Sequence, residues 1–458
     1  MYYCNNNNNS LIWQKNTPKF DIFDLLQFKG LSNNQLRQLA IDTGFMKRRP
    51  RKISTANFLA LMCLESQKGS PSYNDLVARF DAIYKISASK QAIWKRVNSA
   101  CVIFFQAVLA QLIRSKIASH EIETMKACGK YRRVIVQDST IIKLPLRLFN
   151  HFSGVSNGHT SVCNARIQGI YDLLSGCFLQ FSIDPYSKND LLAAPDLELC
   201  NNDLVLRDRG YFTLGEIERH LKAGADCIYR HKCKTIYLDP VSGQPINLLA
   251  LLKKNHKLDI DICLNNTKKT TVRLLAAPVS QQVANSRRMK AKKEIHGRNP
   301  SVDVLALMGW TIFITTIPRS EADFDKISKM YQLRWQIEII FKTWKSHMQF
   351  DKIHNVSFNQ LQVLLTARLT MIVLCTHSLF LPISKRICQQ YNRDLSMLKF
   401  MNYIEKNLEE VFNLMAMSIL DKNLSDTKSF DLKIIKYCAY DIRKRINLRQ
   451  LFRNVFLS

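Results

Sequence analysis

Negative charge is what this sequence is short of. Its 37 Asp and Glu stand against 66 Lys and Arg, a formal balance of +29. A chain so far from neutrality is drawn to polyanions, so a nucleic acid is the expected partner, ahead of an anionic membrane surface. Metal-type cysteine pairs are also missing: the 13 cysteines are scattered from Cys4 to Cys438, with none in Cys-x-x-Cys spacing. Reduced thiols are expected rather than a disulfide framework or a zinc cluster. The nearest approach to a ligand set, Cys227, His231 and Cys233 in CIYRHKC, has no second pair and reads as a short strand. The opening MYYCNNNNNS lacks a basic stretch leading into an apolar core, so no export signal is read there and residues 1–19 are expected to be a disordered tail. The most membrane-like stretch, LTMIVLCTHSLFLPI (369–383), falls short of the roughly 20 residues a span needs. It follows Arg368 and contains His377, which predicts a buried core helix and no membrane partner.

What is present is enough to fold. A chain of 458 residues with 47% hydrophobic content can bury several cores. Residues 20–125 have helical periodicity and carry KRRPRK (47–52), five positive charges around a proline, among them Arg48 and Arg49. A basic loop beside helices suits phosphate contacts. SYNDLVARFDAIY (72–84) and SKQAIWKRVNSACVIFF (89–105) read as two helices with a short break. Ser89 can cap the second, whose Lys90, Gln91, Lys95 and Arg96 suit major-groove reading in a helix-turn-helix.

From about residue 131 the pattern changes to short β-branched runs. YRRVIVQDSTIIKLP is followed by a hairpin turning at Ser175-Gly176, a helical segment from Asp190 to Cys200, the strand DLVLRD, a helix from Thr213 to Ala223 and the strand DCIYRHK. Three strands, helix, strand, helix, strand is the order of an RNase H-like α/β sheet. Residues 236–320 read as a β-rich insertion, with strand-like YLDPVSG, KLDIDICLN, TVRLLAAPV and GWTIFITTIP. Its basic segment SRRMKAKKEIHGR (286–298) offers Arg287, Arg288, Lys292 and Lys293 as a positive face. The catalytic region as a whole runs over 126–383, and residues 384–458 read as helices suited to packing and self-association.

Three acids stand out. Asp138 ends the apolar run VIVQ, Asp208 ends LVLR, and Glu338 lies in YQLRWQIEIIFKTWK (331–345). Read as one helix, that last stretch puts Tyr331, Arg334, Glu338 and Lys345 within about 60° of arc. Leu333, Ile337, Ile340, Phe341 and Trp344 take the remaining girth and predict burial. A carboxylate in such surroundings must be paired or face a ligand. Acids at strand ends of an α/β sheet sit where ligands collect. Three converging carboxylates need cations, and hard oxygen ligands select Mg²⁺ or Mn²⁺.

The spacing Tyr331, Arg334, Glu338, Lys345 resembles the Y-R-E-K signature of DDE transposases of the insertion-sequence-four family. QDST around Asp138 and LVLRDRGYF around Asp208 are similar to that family's first and second acidic motifs. The likeness extends over most of residues 20–380, with the basic helices, the sheet and the insertion in the expected order.

The resemblance implies a bacterial, cytoplasmic recombinase that associates with the nucleoid by binding DNA. It would cut one strand at each terminal inverted repeat of a mobile element and join the freed 3′-hydroxyl to target DNA, working as a homodimer. Asp138, Asp208 and Glu338 would hold two Mg²⁺ or Mn²⁺ ions, and Tyr331, Arg334 and Lys345 would grip phosphates. Trp310 is the candidate to stack a flipped base. Two other readings share these residues: an RNase H-like nuclease without strand transfer, and a catalytically silent DNA-binding descendant.

Overall fold

The computed structural model describes residues 31–48, 52–67, 69–124, 130–154, 161–294, 300–420, 424–441 and 448–456. The expected tail and Arg49 of the basic run lie outside them. The chain forms two compact units, one of Met1–Val108 with Gln362–Asp441 and the other of Leu109–Leu361 with Ile442–Ser458. Most of the C-terminal helices therefore fold with the N-terminal ones rather than as a region of their own.

In the first unit serines start the helices. Ser32, Ser54, Ser72 and Ser89 precede α1 (Asn33–Asp42), α2 (Thr55–Ser66), α3 (Tyr73–Tyr84) and α4 (Lys90–Arg96), and each side-chain oxygen accepts a backbone N–H three residues on. That satisfies a donor which the helix leaves orphaned. At Ser32 and Ser72 the reciprocal bond from Gln35 or Asp75 completes a capping box. The apolar α2 sits in an aromatic cluster in which Phe58 meets Phe45, Phe80 and Phe105.

The stretch 89–105 is not one helix. α4 stops at Arg96 and α5 (Ser99–Thr124) leaves at 67° to it. Asn98 marks the bend, its Oδ1 accepting the Cys101 N–H at 3.0 Å, because an Asn side chain competes with the helix for backbone donors.

The predicted core helix is longer than expected. α12 (Phe358–Leu374), a π-helical stretch (Cys375–Phe380) and α13 (Leu381–Tyr391) run as 34 continuous residues, and their most apolar window is wholly buried. Arg368 within it is fully buried and donates to the carbonyls of Ser66 (2.8 Å) and Gly69 (2.6 Å). α14 (Met397–Leu420) and α15 (Leu424–Cys438) complete the unit.

The second unit is built on a nine-stranded sheet in the order β3-β2-β1-β4-β5-β9-β8-β7-β6. β1 (Arg133–Lys143), β2 (Asn164–Asp172) and β3 (Cys177–Pro185) form an antiparallel meander. β4 (Asp203–Arg207) and β5 (Asp226–Arg230) run parallel to β1, linked by α6 (Leu214–Ala223). No helix forms over 190–200: a turn gives way to irregular chain through Pro195, and the Asp190 carboxylate is taken up by Ser139 and Arg166.

The insertion is not a separate β module. Its β6 (Tyr237–Leu238), β7 (Leu258–Leu264), β8 (Thr271–Pro278) and β9 (Trp310–Thr315) continue the same sheet, with Ile228 of β5 opposite Thr315 of β9. It also contains α7 (Leu248–Asn255), α8 (Gln281–Glu294) and α9 (Val302–Leu307), so the basic segment from 286 is helical through 294.

α10 (Phe324–Gln332) and α11 (Trp335–His347) follow, and α16 (Leu448–Phe456) returns to this unit, where Phe456 meets Tyr131 edge-on at 6.0 Å.

Arg368 generates the first prediction. Arg368→Met leaves two buried carbonyls without donors and should destabilise the fold by about 3 kcal/mol, read as a lower urea midpoint at unchanged slope. A change under about 0.5 kcal/mol would show that these bonds contribute nothing net.

Candidate active site

The site begins with a strand register. The parallel ladder between β1 and β4 runs to Gln137 opposite Arg207, so Asp138 and Asp208 are the next residues on adjacent strands. Asp208 follows β4 and opens a short 3₁₀ turn, Arg209–Tyr211, as expected of an acid at a strand end. Asp138 does not end its strand: β1 continues to Lys143 because β2 goes on pairing with it, Asp138 lying opposite Gly169. The acid marks where β1 loses its β4 neighbour.

The third acid arrives on α11, and the stretch 331–345 is two helices rather than one. At Leu333 and Arg334 the backbone bonds close three residues back, to Met330 and Tyr331, in the tighter 3₁₀ pattern. Tyr331 therefore lies in the last turn of α10, Arg334 stands before α11, and a single wheel does not describe them. The polar groups still converge, through tertiary contacts.

Arg334 is buried, and its guanidinium donates to Asp138 Oδ2 at 3.0 Å and Glu338 Oε1 at 2.6 Å. Its charge also lies 5.7 Å from the Tyr331 ring centroid, while the Tyr331 hydroxyl donates to the Arg207 carbonyl at 3.2 Å. Lys345 is half-buried and its Nζ donates to the Ile141 carbonyl at 2.8 Å. As expected, Leu333, Ile337, Ile340, Phe341 and Trp344 are buried. Trp335 and Ile339 on the opposite face are exposed.

Burial pushes the Asp138 carboxyl up to about 6. The Ser139 amide and Arg334 oppose the rise, while Glu338 and Asp208 add to it. Burial likewise pushes the Tyr331 phenol up to about 12 and holds the Lys345 ammonium below its ordinary value. Neighbouring carboxylates that make ionisation costly are what a cation relieves. The donor set, oxygen only and acidic, suits a hard divalent ion. Among the described residues no three acidic, His or Cys side chains close into a ligand cluster. Arg334 is the positive charge that joins Asp138 to Glu338.

A polar layer beneath the acids escaped the sequence reading. Ser139 Oγ donates to Asp190 Oδ1 at 2.7 Å, and Arg166 reaches both residues. Gln168 Nε2 donates to the Asp190 carbonyl at 2.6 Å, and the Gln168 carbonyl oxygen accepts from Gln137 and Tyr211, each at 3.0 Å. Tyr211 was within the quoted LVLRDRGYF; Asp190 carried no signal, because nothing local shows that it returns to β1.

The remaining expected contacts fall into two groups. Lys95 is exposed on α4, as are Lys292 and Lys293 on α8 and Arg48 in its loop. Three arginines are used internally instead. Arg96 donates to the Ile53 carbonyl and lies over the Phe58 ring. Arg287 binds the Trp310 carbonyl and Thr311 Oγ1, and Arg288 binds the Leu305 carbonyl. Trp310 is part-buried against the apolar cluster of the distal strands, and its indole N–H has no partner among the described residues. Cys227 is buried in β5 and His231 meets the Tyr237 hydroxyl at 2.8 Å, as befits a strand rather than a metal site.

A mixed α/β sheet in which one guanidinium joins Asp138 to Glu338 and Asp208 stands level with Asp138, in so basic a chain, is the arrangement expected of a carboxylate-based enzyme of nucleic-acid phosphoryl transfer. Comparison with known proteins makes this specific: the family model described as the transposase DDE domain matches residues 130–374, and the chain belongs to that family. It is 27% identical over 429 residues to the transposase for insertion sequence element IS231B of Bacillus thuringiensis subsp. berliner, covering 88% of each chain. Identity is 28% over 403 residues to the transposase for IS231E of Bacillus thuringiensis subsp. finitimus, covering 82% of this chain and 84% of the relative. The transposase for IS1151 of Clostridium perfringens is 26% identical over 451 residues, 91% of this chain and 94% of its own. The chain is thus a transposase, an enzyme that cleaves DNA strands and transfers them, and the DDE domain implies dependence on a divalent metal.

Gly169, opposite Asp138, tests how strictly α11 must be seated. A Cβ there would stand 3.4 Å from two atoms of the Phe341 ring. Gly169→Ala should be tolerated. Gly169→Val should cost about 1–3 kcal/mol and push α11 outward, so DNA cleavage at equal folded concentration should fall about tenfold. Equal cleavage by the Val variant would show that α11 need not sit against β2.

Proposed function

We propose that this chain mobilises a bacterial insertion sequence, binding its terminal inverted repeats and acting from the cytoplasm as a homodimer. What supports the reading best is the convergence of Asp138, Glu338 and Arg334 within hydrogen-bonding distance from positions 196 and 4 residues apart in the chain. The meander β1-β2-β3 followed by parallel β4 and β5 supports an RNase H-like fold. Tyr331, Arg334, Glu338 and Lys345 at their spacing support membership of the insertion-sequence-four group.

In this reading Asp138, Asp208 and Glu338 hold two Mg²⁺ or Mn²⁺ ions. Bound there, the ions would make an attacking water or 3′-hydroxyl more nucleophilic and steady the leaving oxygen. The chain's own residues do the rest. Arg334 presents a planar fork able to exchange a carboxylate for a phosphate, and Lys345 presents a point charge on the β1 side. The polar layer through Ser139, Asp190, Arg166 and Gln168 keeps Asp138 and the 209–211 turn in place. Exposed Lys90, Gln91 and Lys95 on α4, with Arg48 and Arg49 of the basic loop, supply affinity and register on the duplex. Lys292 and Lys293 add positive charge from the insertion.

Asp208→Asn is the direct test. It should abolish Mg²⁺-dependent nicking of linear DNA carrying the element's ends, while binding stays within about tenfold, or 1.4 kcal/mol, of wild type. Nicking by Asp208→Asn at the wild-type rate would defeat the assignment. Joined molecules from pre-cut ends and a target plasmid are expected of the wild type, and their absence would reduce the activity to that of a nuclease.

A further inference from the structure

The register that levels the two acids extends one strand further. β4 and β5 pair in parallel with Leu206 opposite Ile228. Two residues on, Asp208 and Arg230 come level, as Asp138 and Asp208 do across β1 and β4. Adjacent strands are about 4.8 Å apart. The C-terminal edge of the three parallel strands therefore presents Asp138, Asp208 and Arg230 in a row, with Arg230 on the far side of Asp208 from Asp138.

Arg230 is unlike the other arginines near the site. Arg334 is committed to two carboxylates and Arg207 to Glu216 at 2.6 Å, while Arg287 is bonded to β9. Arg230 is half-buried, yet its side chain makes no hydrogen bond or ion pair among the described residues. The Arg209 side chain, exposed in the turn after Asp208, makes none there either. The Arg230 guanidinium is held below its ordinary basicity chiefly by burial. Arg209 and Arg334 push the same way, and Tyr331 and Asp208 only partly oppose them. Arg287 is lowered by burial and by Arg230 in turn. A half-buried guanidinium bonded to no carboxylate keeps its donors free for an incoming anion.

We propose that Arg230, assisted by Arg209, binds a phosphate of the DNA strand next to the one that is cut. The site's shape supplies the direction. Lys345 is bonded to the Ile141 carbonyl on the β1 side of the acids, and Arg230 lies on the β5 side. A strand laid across the sheet edge over Asp138 and Asp208 meets Lys345 at one end and Arg230 at the other. Arg230 suits this better than a lysine because its fork can take two phosphate oxygens at once. Arg230 touches the DNA, not the reacting atoms, so it is a positioning residue for cleavage. The inference rests on the transposase reading above and adds to it a phosphate contact outside the Tyr331, Arg334, Glu338 and Lys345 set.

The test pairs variants with neutralised phosphates. Duplexes carrying the element end are prepared with a methylphosphonate replacing each of the three phosphates on either side of the cut, one at a time. Single-turnover cleavage is followed with Mg²⁺ at saturating protein. Wild-type cleavage of unmodified DNA tests the transposase reading itself, and its absence would overturn both proposals.

Given that cleavage, one methylphosphonate beside the cut should slow the wild type about tenfold. Arg230→Ala should be slowed about as much on unmodified DNA, with no further loss on that one methylphosphonate duplex. A merely structural role for Arg230 would give losses that multiply at every position, and that result overturns the inference, as does cleavage by Arg230→Ala at the wild-type rate. Arg230→Lys keeps the charge and the fold, so if Arg230→Ala does not fold the same comparison is read from it. A smaller loss, again non-additive at a single phosphate, supports the contact, and multiplying losses refute it.

Discussion

One guanidinium organises this active site. Arg334 lies between Asp138 on β1 and Glu338 on α11, and Lys345 of α11 adds a bond to the Ile141 carbonyl of β1. A buried ion pair adds little net stability, since desolvation offsets most of the Coulomb gain, but it is exacting about geometry. The apolar side supplies the binding energy that the ion pair does not. Trp344 packs against Phe178 and Phe181 of β3 at 5.2 and 5.9 Å between centroids, and Phe341 lies over Gly169. Packing sets the distance of α11 from the sheet, and Arg334 sets its rotation and register. The price is a short break in the helix, which frees Arg334 to reach both acids.

Charge on this chain does two different jobs. Lys90, Lys95, Lys292 and Lys293 are exposed, as is usual for a strongly hydrated ammonium on a flexible stem. Arg96, Arg287, Arg288 and Arg368 instead span backbone carbonyls inside their units. A planar fork with five donors can satisfy several orphaned carbonyls at once, which an ammonium does less well. The net charge of +29 thus overstates the surface available to DNA.

Much of the architecture was legible because it is local. Ser72 and Ser89 opened two of the helices read from the sequence, the Ser175-Gly176 turn placed the β2-β3 hairpin, and the helix read from Thr213 is α6 with Thr213 as its cap. What misled was also local. The apolar-periodic pattern of 89–105 concealed a bend at Asn98, and DLLAAPDLELC looked helical while Asp190 was drawn to Ser139 and Arg166. That the β-rich insertion continues the sheet was not legible, because strand pairing between β5 and β9, 87 residues apart at Ile228 and Thr315, leaves no mark in either strand.

By itself the sequence determined the candidates for the chemistry: three acids, a tyrosine, an arginine and a lysine whose types and spacing resemble a transposase signature. It also determined that α11 would have one face to bury, because periodicity is a property of the chain alone. Only the tertiary structure decided which groups meet. Parallel register brought Asp138 level with Asp208 and then with Arg230, and the break before α11 turned Arg334 toward two carboxylates. It also drew Asp190 to the polar layer beside Asp138. Such choices depend on contacts between residues distant in sequence, whose energies are set by burial and by the direction of each hydrogen bond, and neither exists until the chain has folded.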